Sequence, residues 1–436
     1  MADAMSETPS DPWELRKEAN ALRKERRYAE AITPYTALWE MQSERDVWDG
    51  WGYAFCLDRV GRTSEALNVC RETYKKDPDH LQVRQLYARC VYLLEVKDAD
   101  GELTRVQKAA KGICKLVKQD DEYAPYVVPA VLTVAKALKQ TGRHDDVLNW
   151  LERLDASRLS GKPFTFEKNG QTKMGPSDAQ RYWLLWCRAL HKLGKYAECQ
   201  EAVKVAIRSL PTFVNDGDVW LQRLAALSLA AEGEAAAGYD ALKAILGKKR
   251  GWVFEYDLAV IARSLGRRDD AWRHLLGALL ERGPIGQRIR AFETASEWLE
   301  EEGDKARAAE HLAVVLAIRE EEGWAVNDAL ASRSQALGAL PAATVHDGVR
   351  ALKPLWKKRL DALDPRLIGT ITSVIADGRA GFVRTGKGES FYFRAEALRG
   401  AHPKVGLAVT FRSAPGFDKK KNEATTVAVD LRMAKS

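Results

Sequence analysis

Apolar residues recur along the first three quarters of the chain at the spacing of one helical face, and each such run stops at the same punctuation. A glycine ends one amphipathic stretch, a polar residue follows, and a small residue lies five positions on in the next stretch. The pattern is "VGRTSEALNVCRETYKKDP" around Gly61, "TGRHDDVLNWLERL" around Gly142, "LGKYAECQEAVKVAIRSLP" around Gly194, "LGRRDDAWRHLLGALL" around Gly266 and "EGDKARAAEHLAVVLAI" around Gly303. The opening segment "EANALRKERRYAEAITPYTALWE" has the same form with Arg26 in the glycine's place, and "AEGEAAAGYDALKAIL" at Gly233 is a weaker copy. A tight helix–turn–helix needs such a residue, because the chain turns through a left-handed backbone conformation that glycine adopts without a Cβ penalty. Small residues at Ala66, Cys199, Ala271 and Ala308 let the paired helices approach, and Pro78 and Pro211 stop the second helix of their pairs.

This punctuation resembles the tetratricopeptide repeat, a helix pair of 34 residues, in its Gly-x-x-x-x-Ala core, terminal proline and aromatics early in the first helix (Trp51, Trp183). The spacings from Arg26 to Gly61 (35), Gly233 to Gly266 (33) and Gly266 to Gly303 (37) fit that period, whereas Gly61 to Gly142 (81) and Gly142 to Gly194 (52) do not. A half-repeat at 79–95 with an added helix near 103–119 is expected in the first gap. A β-hairpin is expected in the second, from "GKPFTFEKNGQTKMGP" at 161–176 with its Asn-Gly turn. That hairpin reads either as a plain connecting loop or as a prong touching a partner, and it is expected to pack on the repeats or on that partner. Trp48, Trp183, Trp220 and Trp252 are read as core between helices. The resemblance implies a curved stack of about seven repeats over 1–340 whose groove holds an unidentified protein or peptide.

Beyond residue 340 the pattern changes. A basic amphipathic segment, "PAATVHDGVRALKPLWKKRLDALDP" (341–365), connects to a region of period two. Here "LIGTITSV", "AGFVRT", "SFYFR", "LAVTFRS" and "TTVAVDLRM" are five strand-type runs, most of them separated by glycine- or lysine-rich turns. Five short strands in about 70 residues predict a small barrel. Alternation puts Phe382 and Arg384 on one face of their strand, with Gly381 and Val383 on the other. It likewise sets Tyr392 and Arg394 opposite Phe391 and Phe393. The fold class is thus mostly α: a tetratricopeptide-like α-solenoid followed by a five-stranded β-barrel at 366–436.

The barrel residues resemble the cold-shock domain, an OB-fold. "GTITSV" (369–374) stands at its first strand, "GRAGFV" (378–383) at its first ribonucleoprotein motif, and "FYFR" (391–394) at its second. The resemblance implies a surface that stacks bases of RNA or single-stranded DNA, with RNA the nearer candidate. Ser373, Ala380 and Arg394 stand where the family carries tryptophan, a leading aromatic and histidine, so Phe382 and Tyr392 are the two rings kept. The planar guanidinium of Arg394 is able to stack beside them. Chains that join these two modules look like accessories of bacterial RNA metabolism or mobile-element defence.

Charge sharpens the picture. Residues 341–436 hold 18 Lys and Arg against 9 Asp and Glu, whereas residues 1–340 hold 50 against 52. The positive excess of +7 therefore lies in the last quarter, as expected of a segment that meets a polyanion. Arg379, Arg384, Lys387, Arg394, Arg412, Lys419, Lys420 and Lys421 are the candidate cations. A merely solvated surface is the competing reading for them, and barrel-edge packing for the two rings. A barrel docked onto a partner protein is the third. The six cysteines lack any C-x-x-C pair, as buried thiols in a reducing cytoplasm would. No phosphate loop, zinc-protease motif or nucleophile elbow occurs, and the acidic runs "QDDEY", "RRDDAW", "LEEEGD" and "REEEGW" read as solvated caps. The expectation is a cytoplasmic, non-enzymatic adaptor with no cofactor, metal or membrane span. The rival is a protein–protein scaffold whose barrel has lost nucleic-acid binding.

Overall fold

The computed structural model describes residues 11–41, 45–97, 102–121, 126–375, 378–398, 401–418 and 423–434. The chain divides into two compact units, 1–221 and 222–436. In the first, helices follow one another in antiparallel pairs: α1 (Pro12–Lys24) with α2 (Tyr28–Glu40), α3 (Val47–Arg59) with α4 (Thr63–Lys76), α5 (Leu81–Glu95) with α6 (Leu103–Leu116), and α7 (Val127–Gln140) with α8 (His144–Leu151). A hairpin of β1 (Phe164–Lys168) and β2 (Gln171–Gly175) precedes α9 (Asp178–Lys192) and α10 (Tyr196–Ser209). The division falls within α11 (Gly217–Ala231). The second unit goes on with α12 (Ala235–Lys248), α13 (Trp252–Ser264), α14 (Arg268–Leu280), α15 (Ile289–Glu301), α16 (Lys305–Glu321), α17 (Asp328–Leu337) and α18 (Val345–Leu363) before the strands begin. The helical part is tetratricopeptide-like.

One turn geometry recurs at the punctuating residues. Gly61, Gly142, Gly194, Gly233, Gly266 and Gly303 all have positive φ, and Arg26, in the glycine's place, has φ 64°. The amide after each one reaches back to a carbonyl in the preceding helix: Arg62 to Leu57 (2.9 Å), Lys195 to Leu190 (3.0 Å), Arg267 to Ala262 (2.9 Å), Asp304 to Leu299 (2.9 Å). These Schellman closures satisfy carbonyls that the helix end leaves orphaned. Five residues past the turn, Ala31, Ala66, Val147, Cys199, Ala271 and Ala308 are all fully buried. At Gly238, the equivalent position after Gly233, an added Cβ would stand 2.7 Å from the Ala226 carbonyl oxygen.

The irregular spacings have simple causes. The 81-residue gap holds α5 (81–95) and α6 (103–116), where a half-repeat and an added helix are expected, and the two together make one extra helix pair. In the hairpin, Asn169 (φ 54°) and Gly170 (φ 70°) both lie in the left-handed region that a type I′ turn requires. Of the two places expected for it to pack, the repeats do not cover it: every strand residue but Gly175 is exposed.

The tryptophan reading needs correction. Trp48 is 53% exposed, and Trp183, Trp220 and Trp252 are half-buried. The core tryptophans are Trp150, Trp272, Trp298 and Trp356, because only positions facing the partner helix on both sides are sealed. Nor is "LEEEGD" a merely solvated cap: Glu300, Glu301 and Glu302 pair with Arg333, Arg263 and Arg359. None of the six cysteines is in a disulfide, and five of them are buried. Among the described residues no helix is long and apolar enough to cross a membrane.

The segment expected as a connecting helix is α18, which runs unbroken through Pro354 and buries Val345, Val349, Leu352, Trp356 and Leu360. After it, β3 (Leu367–Ile375), β4 (Ala380–Thr385), β5 (Ser390–Arg394), β6 (Ala408–Asp418) and β7 (Glu423–Met433) close a barrel in the order β3-β4-β5-β7-β6. Neighbours are antiparallel except β5 and β7, which run parallel where Tyr392 meets Val427. Ile371, Val383, Phe393, Val409, Phe411 and Leu431 fill its core.

This barrel is docked on the helices of its own unit. Gly247 of α12 and Gly416 of β6 are so close that a Cβ on Gly247 would stand 3.0 Å from the Gly416 carbonyl oxygen. Arg250 Nη2 donates to the Pro415 carbonyl (2.9 Å). Arg412, expected on the nucleic-acid face, is instead 7% exposed. Its guanidinium bonds Asp361 of α18, the Asp364 carbonyl (3.2 Å) and Asp430 (3.2 Å). A bulge between Thr410 and Arg412 breaks the alternation, so Phe411 and Arg412 are buried in succession.

Candidate nucleic-acid interface

The face to be tested lies on β4 and β5. These strands pair with Phe382 opposite Tyr392, Arg384 opposite Ser390 and Ala380 opposite Arg394. Burial along β4 alternates from Gly381 onward, with Gly381, Val383 and Thr385 buried while Phe382 and Arg384 are exposed. Gly381 is needed here: a Cβ would stand 2.4 Å from the Ser373 carbonyl oxygen and 2.8 Å from the Phe393 ring. With Phe393 sealed in the core, the neighbouring residues Tyr392 and Arg394 point away from it.

The Phe382 and Tyr392 rings meet edge to face, with centroids 5.7 Å apart. Phe382 is 37% exposed, a large apolar ring that the barrel leaves partly in water. Arg379, Arg384, Lys387 and Arg394 are all exposed. Among the described residues the one carboxylate paired with these four is Glu396, whose Oε1 lies 3.6 Å from Arg394 Nη1 with both side chains well solvated. Arg379 stands just before β4, and Lys387 in the β4–β5 turn between Gly386 and Gly388. The structure thus brings the two rings and Arg384 and Arg394 onto one face, sets Arg379 and Lys387 at its ends, and takes Arg412 away. Lys419, Lys420 and Lys421 lie outside the described residues.

The neighbouring strand adds groups that the sequence reading passed over. Thr370 is exposed opposite Arg384, and Thr372 donates its hydroxyl to the Phe382 carbonyl (3.3 Å). Ile368, on the same alternation, is 68% exposed. Alternation along "LIGTITSV" was the available signal, since buried Gly369 and Ile371 force Ile368 and Thr370 outward. The arrangement offers ring faces or edges to a planar base, guanidinium forks to phosphate, and hydroxyls to sugar or phosphate oxygens.

Comparison with known proteins adds little beyond the helical architecture. No protein-family model matches the chain, and no curated protein matches it significantly. Among solved structures, a human IFIT1 dimer with m7Gppp-AAAA aligns at 14% identity over 80% of this chain and 76% of that one, with a TM-score of 0.40. The APC/C hetero-tetramer Cut9–Hcn1 aligns at 14% identity over 74% and 55%, with a TM-score of 0.37. A tetratricopeptide repeat protein from Parabacteroides merdae ATCC 43184 aligns at 13% identity over 61% and 91%, with a TM-score of 0.28.

Proposed function

We propose that this chain is a non-enzymatic adaptor: its barrel, of the OB and cold-shock type, holds single-stranded nucleic acid, RNA before DNA, and its helical repeats take a protein partner. The observation that carries the nucleic-acid half is the adjacent pair of exposed Phe382 and half-buried Tyr392 on the outer face, flanked on the same two strands by the exposed Arg384 and Arg394. These are the second and third strands of a five-stranded closed barrel, the pair whose face engages oligonucleotides in OB-folds. Two rings at about 1–3 kcal/mol per stacked base supply part of the affinity, and phosphate contacts the rest. Anisotropy of labelled oligouridine and oligothymidine with the full chain, parent against F382A/Y392A, tests it. Equal binding of parent and variant would remove the rings from the interface.

A second reading is favoured by Ser373 and Ala380, small residues where the family it resembles carries rings. On that reading the barrel is a protein-docking module within a scaffold. It predicts no oligonucleotide binding even at low salt, together with recovery of a protein partner free of RNA.

A further inference from the structure

The helical part is close to neutral overall, yet one small region of it gathers cations without acids. Lys136 and Lys139 lie one turn apart near the C-terminus of α7, and Arg188 and Lys192 one turn apart near the C-terminus of α9. Those two helices pack side by side, and because α8 runs back between them in sequence their C-terminal ends point the same way. Lys136, Arg188 and Lys192 are exposed and Lys139 is half-buried. Among the described residues none of the four is paired with a carboxylate. The two acids in the first turn of α8 are otherwise placed: Asp146 is held by Arg143 (2.7 Å), and Asp145 acts on His144 less than Lys192 or Arg188 does.

Two groups at this site, Lys139 and His144, feel the neighbouring cations. Burial and the charges of Arg188 and Lys136 hold the Lys139 ammonium below its usual range. Burial, Lys192 and Arg188 likewise pull His144 down, and its buried Nδ1 has no hydrogen-bond partner. The carbonyl ends of α7 and α9 offset part of this repulsion, but no side chain neutralises it. A fold gains nothing from unrelieved like charges, whereas a polyanion gains from them.

We infer that the paired C-terminal ends of α7 and α9, through Lys136, Lys139, Arg188 and Lys192, form a second nucleic-acid contact that grips the phosphate backbone without reading bases. Charges one helical turn apart, at roughly 5–6 Å, on axes roughly 8–10 Å apart are spaced so that successive phosphates of one strand can each meet a cation. Four cations with no ring among them suit the backbone alone. The choice of nucleic acid over an acidic peptide rests on the barrel reading proposed above.

The experiment uses the full chain, a labelled 20-nucleotide oligouridine and three proteins: parent, K136E/R188E/K192E and F382A/Y392A. The charge-reversed variant is expected to bind about tenfold or more weakly at low salt, with a log–log salt slope shallower by about 2. F382A/Y392A should lose affinity with its slope unchanged. The triple variant sets acidic side chains beside the carbonyl ends of α7 and α9, so its melting temperature is compared with the parent's. If it falls, K136Q/K192Q gives the same reading with milder chemistry. Parent-like affinity and slope in both charge variants overturn the inference, whatever the barrel variant does. An ineffective F382A/Y392A beside a weakened charge variant overturns the barrel reading and leaves this one standing. Polyglutamate of equal charge that binds the parent more tightly than oligouridine, and is lost in the triple variant, reassigns the patch to an acidic protein.

Discussion

Phe382 on β4 and Tyr392 on β5 occupy directly paired positions, and their rings touch edge to face at 5.7 Å on the outer side of the barrel. A base that enters such a pair stacks on one ring and meets the edge of the other. Each single alanine substitution should therefore weaken oligonucleotide binding by about 1–3 kcal/mol, or about fivefold to 150-fold. Because the residues touch, the double variant should lose less than the sum of the two. Fluorescence anisotropy at fixed salt measures all four corners of that cycle.

Arg379, Arg384, Lys387 and Arg394 are the exposed cations on and beside the β4–β5 face. If each neutralises one phosphate, their share of the salt dependence is a log–log slope of about −3 for a single strand. R384Q/R394Q should make the measured slope shallower by about 1.4 while leaving the melting temperature near the parent's. A slope unmoved by that change would return these arginines to the role of solvated surface.

Arg412 behaves oppositely. Its guanidinium is shared among Asp361, Asp364 and Asp430, so Arg412→Ala takes this cation from Asp361 and Asp364, while Asp430 keeps Arg366 and Arg432. Breaking a buried pair from one side costs about 3 kcal/mol at the low end of the usual range, and partial exposure of Asp361 argues for that end. Urea unfolding should show this loss, with amide exchange accelerated in β6. The salt slope for oligonucleotide should not change, which separates Arg412 from the arginines of the open face.

His311 gives the second unit a pH dependence. Its Nδ1 donates to the Arg307 carbonyl (2.8 Å) and its Nε2 accepts the Trp356 indole N–H (2.8 Å). An indole only donates, so a protonated ring would set N–H against N–H. Burial accordingly pulls the pKa from 6.5 down to about 4. Between those values the unfolded chain binds a proton that the folded one refuses, so stability is complete above pH 6.5 and falls as the pH drops. The loss reaches roughly 3 kcal/mol by pH 4. Denaturant unfolding between pH 7 and pH 4.5 should show it, and His311→Leu should flatten this limb while lowering stability at pH 7.

The helix pairs were legible in the sequence because their turns impose a local demand: one residue at positive φ, then a small residue five positions later. Gly61 with Ala66, and Gly266 with Ala271, state it outright, and Arg26 with Ala31 states it despite the wrong residue type. The β4 and β5 faces were legible for the same reason, since alternation is a property of the strand itself. Arg412 was not. Its inward turn depends on a bulge and on Asp361 and Asp364, about fifty positions earlier, and neither leaves a local mark. Trp48 misled because a large aromatic in a first helix looks like core, although its ring meets only the edges or faces of Trp51 and His80 and stays half in water. The division near residue 221 was equally hidden, because the barrel meets α12 partly through the backbone of Gly247 and Gly416, which no side-chain pattern announces.

The clasp at Arg412 bears on how the barrel can be studied in isolation. A fragment beginning at residue 366 would leave Asp361 and Asp364 behind, freeing a guanidinium that the whole molecule keeps partly neutralised, and would bare the stretch of β6 that α12 covers. Such a piece would overstate the attraction to polyanions and would be prone to self-association. Residues 222–436 keep both the clasp and the α12 cover, so the barrel's own share of the affinity is read in that portion.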